Sequence, residues 1–115
     1  MSTSECVFCG MVRDPVHQAP IYRDERVFVV RDINPKARVH LLIIPNTHLA
    51  SLAYIGPGQV PIMGHLFVVA EEMARREGVT LSGYRLVLNQ GTDSGQEIED
   101  LHMHLLAGQR LGSMG

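Results

Sequence analysis

The sequence predicts an α+β domain with a mostly antiparallel five-stranded sheet, one long helix and one or two short ones. Three observations carry this. Five short runs rich in β-branched and aromatic residues are separated by polar turns. One stretch, residues 59–77, repeats apolar residues at three- and four-residue spacing. The connections between most runs have hairpin length, which favours antiparallel pairing and an α+β arrangement. At 115 residues the chain is expected to form a single domain, 1–115, large enough for one core.

In chain order, Ile21-Tyr22-Arg23 and Val27-Phe28-Val29-Val30 flank the turn Asp24-Glu25-Arg26 and read as a hairpin. Asp32-Ile33-Asn34-Pro35 breaks the pattern. The run Val39-His40-Leu41-Leu42-Ile43-Ile44-Pro45 is too apolar for an exposed strand and predicts a central one. His40 near its start is either a satisfied core histidine or a functional one. Asn46 or Thr47 is expected to cap a short helix over residues 49–54, and Gly56-Pro57-Gly58 ends it. In the long helix Pro61 falls in the first turn and Gly78 closes the end. Met63, Leu66, Phe67, Ala70, Met73 and Ala74 form the expected core stripe, and His65, off that stripe, is expected to face solvent.

Tyr84-Arg85-Leu86-Val87-Leu88-Asn89 is the fourth run. The loop after it, Gln90-Gly91-Thr92-Asp93-Ser94-Gly95-Gln96, has the Gly, Asp and Ser content that can turn backbone N–H groups toward an anion. Then comes Asp100-Leu101-His102-Met103-His104-Leu105. Read as a strand, it puts Asp100, His102 and His104 on one face and the apolar residues on the other.

Composition limits the function. Apolar residues make up 45% and charged residues 19%, with net charge −2 and scattered cations, so no basic stripe exists for a nucleic-acid polymer. A single nucleotide remains compatible. No apolar run is long enough to span a membrane, and residues 1–5 lack the basic and apolar regions of a signal peptide. The two cysteines, Cys6 and Cys9, are spaced as half of a zinc site, a redox pair or two small buried residues. With no export signal they favour a reducing, cytoplasmic setting.

The chemistry follows from the histidines. Near neutral pH an imidazole is largely neutral and nucleophilic. Two on one strand, with His40 on another, permit a division of labour. One attacks, a second donates a hydrogen bond to developing negative charge, and a third holds the orientation. The anion-binding loop beside them points to phosphorus as the electrophile. A catalytic metal on His-x-His would need further ligands, and no carboxylate cluster adjoins it.

These motifs, in their order, resemble the histidine triad (HIT) family, in its branch of small purine nucleoside phosphoramidases. The residues that carry the resemblance are Cys6-Val7-Phe8-Cys9, Asp32-Ile33-Asn34-Pro35 with Ala37-Arg38-Val39-His40, and Ile44-Pro45-Asn46-Thr47-His48. Asn89 and the stretch from Gly95-Gln96-Glu97-Ile98 through His102-Met103-His104 to Gly108 complete it.

The resemblance implies hydrolysis or transfer at the α-phosphate of a purine nucleoside 5′-phosphoramidate through a covalent nucleotidyl-histidine. His102 would be the nucleophile, His104 would hydrogen-bond the phosphate oxygens, and His40 would support the pair. Asp32 would take the ribose hydroxyls. Asn89, Gly95, Gln96, Glu97 and Ile98 would line the phosphate and leaving group, with Phe8, Val30 and Ile33 at the base. It also implies a homodimer through the long helix and a central strand, and no redox cofactor. The alternative function is a non-catalytic purine-nucleotide-binding module acting through partners; a zinc-stabilised structural dimer is a third reading.

The chain departs from the family's His-x-His-x-His pattern at Asp100. The family's first triad position contributes chiefly its backbone carbonyl to the nucleophile's ring, so the change leaves catalysis intact. In members with Cys-x-x-Cys that position also ligates zinc. The implied ligands here are Cys6, Cys9, His48 and Asp100, a set an aspartate oxygen can complete as a structural zinc site. Glu97 stands where some members carry a serine that can donate to the leaving group.

Overall fold

The computed structural model describes residues 19–114. Its strands are β1 (Tyr22–Arg23), β2 (Val27–Arg31), β3 (Val39–Pro45), β4 (Tyr84–Val87) and β5 (Met103–Ala107). They form one sheet in the order β1-β2-β3-β5-β4, and every neighbouring pair is antiparallel. One α-helix, α1 (Val60–Arg76), crosses one face. The expected α+β architecture is the one the chain adopts.

β3 is central because its residues are apolar on both faces. Leu41 and Ile43 point to α1, where they meet Leu66, Val69, Ala70 and Met73 together with Met103 and Leu105 of β5. Leu42 and Ile44 point the other way and pack with Phe28 and Val30 of β2. A strand buried on both sides loses the polar alternation of an exposed one. The helix side forms the main core. The opposite side is left for the site.

α1 starts behind Pro61, where a missing N–H costs little, and carries Arg75 and Arg76 in its last turn beside the negative end of the helix dipole. Gly78, at φ +73°, takes the left-handed turn that ends it.

Four expectations need correction. The short helix over residues 49–54 is only a 3₁₀ turn, Leu52–Tyr54, and its cap is Ser51, whose Oγ accepts from the Ala53 N–H at 3.1 Å. Asn46 does not cap it; its Nδ2 donates instead to the Asp24 carbonyl. Phe67 is not a core residue. It is 53% exposed beside Val60 and Val68, while Val69 takes the place on the sheet that the stripe gave to Phe67. The segment 60–74 carries two overlapping apolar stripes, and packing selects the one that includes residues 66, 69, 70 and 73.

His65 does not simply face solvent. Its Nε2 lies 2.6 Å from Asp24 Oδ2, joining α1 to the β1–β2 turn. The fourth correction concerns β5, which begins at Met103, so Asp100 and His102 precede the strand and do not share a strand face with His104.

Candidate active site

The sheet register assembles the floor of a cleft. His40 of β3 pairs with Leu106 of β5, and Leu42 of β3 pairs with His104. Opposed residues share a face, so the two histidines and two leucines alternate on the side away from α1. Val87 of β4, opposite His104, extends this floor. The β2–β3 connection supplies one wall, with Asp32, Ile33, Asn34 and Lys36. The β4–β5 connection supplies the other, with Asn89, Gly95, Glu97, Ile98 and His102. The cleft holds about 550 Å³, within the range of small-ligand sites.

Hydrogen bonds fix the tautomer of each imidazole. The Nδ1 of His102 lies 2.7 Å from the Asp100 carbonyl oxygen. A carbonyl only accepts, so Nδ1 carries the proton and Nε2 keeps its lone pair. His40 is set the opposite way. The Lys36 backbone N–H donates to His40 Nδ1 at 3.0 Å, so in the neutral ring Nε2 holds the proton. That Nε2–H donates to His104 Nδ1 at 2.9 Å, which leaves the neutral His104 with its proton on Nε2. The chain Lys36, His40, His104 therefore ends in a hydrogen-bond donor, next to a ring that ends in a lone pair. The His102 and His104 ring centres are 4.8 Å apart.

Electrostatics keep the donor neutral. Burial pushes the His104 pKa down to about 4, and the neighbouring histidines add to that. Burial also lowers His40, against the opposing pull of Asp32. Asp32 Oδ2 lies 3.4 Å from His40 Nε2, and its Oδ1 accepts from the Asn34 N–H at 2.8 Å.

The β4–β5 connection is shaped by two left-handed glycines, Gly91 at φ +87° and Gly95 at φ +82°, on either side of a 3₁₀ turn, Thr92–Ser94. The Gln96 side chain braces it: Oε1 accepts from Gly91 N–H at 2.7 Å, and Nε2 donates to the carbonyls of Ile98 and Glu99. Ile98 packs on the cluster of Phe28, Val30, Leu42 and Ile44.

Of the residues singled out from the sequence, the cleft brings together His40, His102, His104, Asp32, Ile33, Asn89, Gly95, Glu97 and Ile98. Two others stand elsewhere. Val30 is fully buried in the cluster of Phe28, Leu42 and Ile44 and presents no surface to a base, and Gln96 acts as the loop brace. Phe8 lies outside the described residues. Leu42, Leu106, Val87, Asn34 and Lys36 also line the cleft and were not among the residues singled out from the sequence. Leu42 and Leu106 were findable, since each stands two residues from a site histidine on the same strand face. Lys36 acts on His40 through a backbone N–H, for which no residue type is a signal.

Of the expected zinc ligands, Cys6 and Cys9 lie outside the described residues. His48 and Asp100 meet: Nδ1 is 3.1 Å from Oδ1. The Leu101 N–H donates to the Leu49 carbonyl at 2.7 Å, which clamps the two segments together. Two ligand atoms on a tetrahedral zinc with bonds of 2.0–2.1 Å stand roughly 3.3 Å apart, so this pair fits the edge of such a site. Asp32, His40 and His104 also bring donor atoms within 4.8 Å of one another. There, however, His40 is bonded at both ring nitrogens and His104 Nδ1 is occupied.

A cleft lined by three imidazoles, on the open face of a five-stranded antiparallel sheet backed by one helix, defines the class of protein. The chain belongs to the HIT family: residues 15–111 match the HIT domain. It is 36% identical over 110 residues to a purine nucleoside phosphoramidase of Escherichia coli, covering 96% of this chain and 92% of that one. A histidine triad protein from Clostridium difficile superimposes with a TM-score of 0.91 at 35% identity, over the whole of both chains. A zinc-bound histidine triad family protein from Mycobacterium smegmatis gives 0.77 at 32% identity, covering 98% of this chain and 81% of that one. Among the described residues no helix is long and apolar enough to cross a membrane.

Proposed function

We propose that the chain hydrolyses purine nucleoside 5′-phosphoramidates at the α-phosphorus through a covalent nucleotidyl-His102. The observation that carries this is the pair of opposed tautomers, with a lone pair on His102 Nε2 beside a proton on His104 Nε2. The first suits attack on phosphorus. The second suits an anionic oxygen of the five-coordinate transition state.

In the first step the Nε2 lone pair of His102 forms a bond to phosphorus. The P–N bond breaks, and the leaving nitrogen departs with the electron pair and takes a proton from solvent. As His102 becomes cationic, its Nδ1–H bond to the Asp100 carbonyl strengthens. Water then attacks phosphorus and gives up a proton to solvent, the P–N bond to His102 breaks with its electron pair returning to Nε2, and the nucleoside monophosphate leaves. Asp32 and Ile33 line the cleft, and in this reading Asp32 accepts from the ribose hydroxyls while Ile33 offers an apolar surface to the base. Support for the nucleotide substrate comes from the phosphoramidase named above, at 36% identity.

A structural zinc on Cys6, Cys9, His48 and Asp100 belongs to this reading, and it would tie the N-terminal knuckle to the segment leading into β5. A homodimer through α1 belongs to it as well, since Val60, Phe67 and Val68 form an exposed apolar stripe there. The test is AMP binding together with turnover of adenosine 5′-phosphoramidate, on wild type and His102→Ala. Turnover that falls at least about a hundredfold in the variant supports the nucleophile. AMP binding without turnover in the wild type would favour the binding module instead.

A further inference from the structure

Three charged side chains line the cleft, Asp32, Lys36 and Glu97. Asp32 accepts from the Asn34 N–H through Oδ1, and in the phosphoramidase reading its carboxylate takes the ribose hydroxyls. The Lys36 ammonium donates to the Asn34 carbonyl at 3.3 Å. Among the described residues nothing pairs with the Glu97 carboxylate. Its place is nevertheless fixed. On one side Gln96 is held by three hydrogen bonds to Gly91, Ile98 and Glu99. On the other, Ile98 is packed on the apolar cluster. Both neighbours are pinned, and Glu97 stands exposed on the cleft wall between them.

A free carboxylate beside imidazoles arranged for a phosphate is a liability, because it repels the anion. The fold does not need it, since no loop contact uses it. The repulsion is offset when the bound molecule also carries a cation on that side. With the ribose against Asp32 on the β2–β3 wall, the remaining substituent on phosphorus is taken to lie within reach of Glu97 across the cleft.

We infer that Glu97 is a specificity-determining residue that selects leaving groups carrying an ammonium charge. The preferred substrates are nucleoside phosphoramidates of diamines or of other amines with a second, protonated nitrogen. This rests on the phosphoramidase reading above. The residue acts through charge alone and takes no proton in the reaction.

The experiment compares three adenosine 5′-phosphoramidates of matched length: those of 1,3-diaminopropane, propylamine and β-alanine. Wild type is expected to rank them ammonium over neutral over carboxylate in kcat/KM. A partly exposed charge pair contributes about threefold to fivefold per step in that ranking. Glu97→Gln should flatten it, Glu97→Lys should reverse it, and high salt should compress it in the wild type. The same ranking is read in the binding constants of His102→Ala, which tests Glu97 even if the wild type fails to turn over. A ranking that is flat in the wild type, or unchanged in Glu97→Gln, overturns the inference while leaving the phosphoramidase reading in place. Failure of turnover with the binding ranking intact overturns that reading alone.

Discussion

His102 is oriented by the main chain of Asp100, with the ring Nδ1 2.7 Å from the carbonyl oxygen, while the Asp100 side chain turns to His48 at 3.1 Å. One residue thus does two separable things. Its carbonyl sets the tautomer of the proposed nucleophile, and its carboxylate joins the corner where zinc is proposed.

The separation is testable by Asp100→Ala. Turnover of an adenosine phosphoramidate should stay within about tenfold of wild type, since the carbonyl survives the change. Stability should fall by about 1 kcal/mol, because the contact between His48 and the Asp100 carboxylate is lost. Metal analysis of protein purified without chelator should show close to one zinc per wild-type chain and much less in the variant. Less than a tenth of an equivalent in the wild type rejects the zinc site.

The tautomer chain gives a second expectation. Long-range nitrogen NMR at neutral pH should show His102 protonated on Nδ1 and both His40 and His104 on Nε2. In His40→Ala the fixed donor state of His104 is lost, and kcat should fall about tenfold to a hundredfold, less than for His102→Ala. AMP affinity should change far less. An Nδ1-protonated His104 in the wild type would contradict the hydrogen-bond assignment.

Much of this was legible in the sequence, and the parts that were not share a cause. β3 appears over the run expected, because Leu41 to Ile44 are apolar without alternation and only a central strand buries both faces. His40 was ambiguous between core and function; it is buried with each ring nitrogen bonded, and it also lines the cleft. The strand face shared by Asp100, His102 and His104 failed because period two was extended through the lead-in to β5, whereas the approach of Asp100 to His48 follows the implied zinc ligands. His65 failed because its partner, Asp24, is 41 residues away and no local pattern records it. Lys36 was missed because its contact is made by backbone. Periodicity reports faces of elements; it is silent on tertiary pairs and on main-chain donors.

Stability should depend on pH in two windows. The folded pKa of His104 lies at about 4 and that of His40 is also lowered, both through burial, so the unfolded chain binds these protons first as pH falls. Stability therefore declines from the ordinary histidine range near 6.5 downward, by up to about 1.4 kcal/mol per pH unit for each proton. Asp24 acts lower. Burial pushes its carboxyl up, but bonds from His65, Tyr22, Val27 and Arg26 outweigh it and hold it well below the usual carboxylate range. The stability it contributes is present above its ordinary value of 3.8 and is lost as pH falls further. Urea midpoints measured between pH 7 and 4 should drop in the wild type and drop less steeply in His104→Gln; parallel curves would contradict the assignment.

The exposed stripe on α1 bears on assembly. Sedimentation at micromolar concentration should give a dimer for the wild type and a monomer for Phe67→Glu. Because Phe67 is 53% exposed and outside the core, the variant should keep its fold. A wild-type monomer would remove the interface from the account.

The central claim is that His102 attacks phosphorus and a second displacement by water follows. Two in-line displacements restore the original configuration, whereas a single attack by water inverts it. Hydrolysis of an adenosine phosphoramidate made chiral at phosphorus with sulfur, run in oxygen-18 water, reads this directly. The account predicts net retention. Net inversion would contradict it.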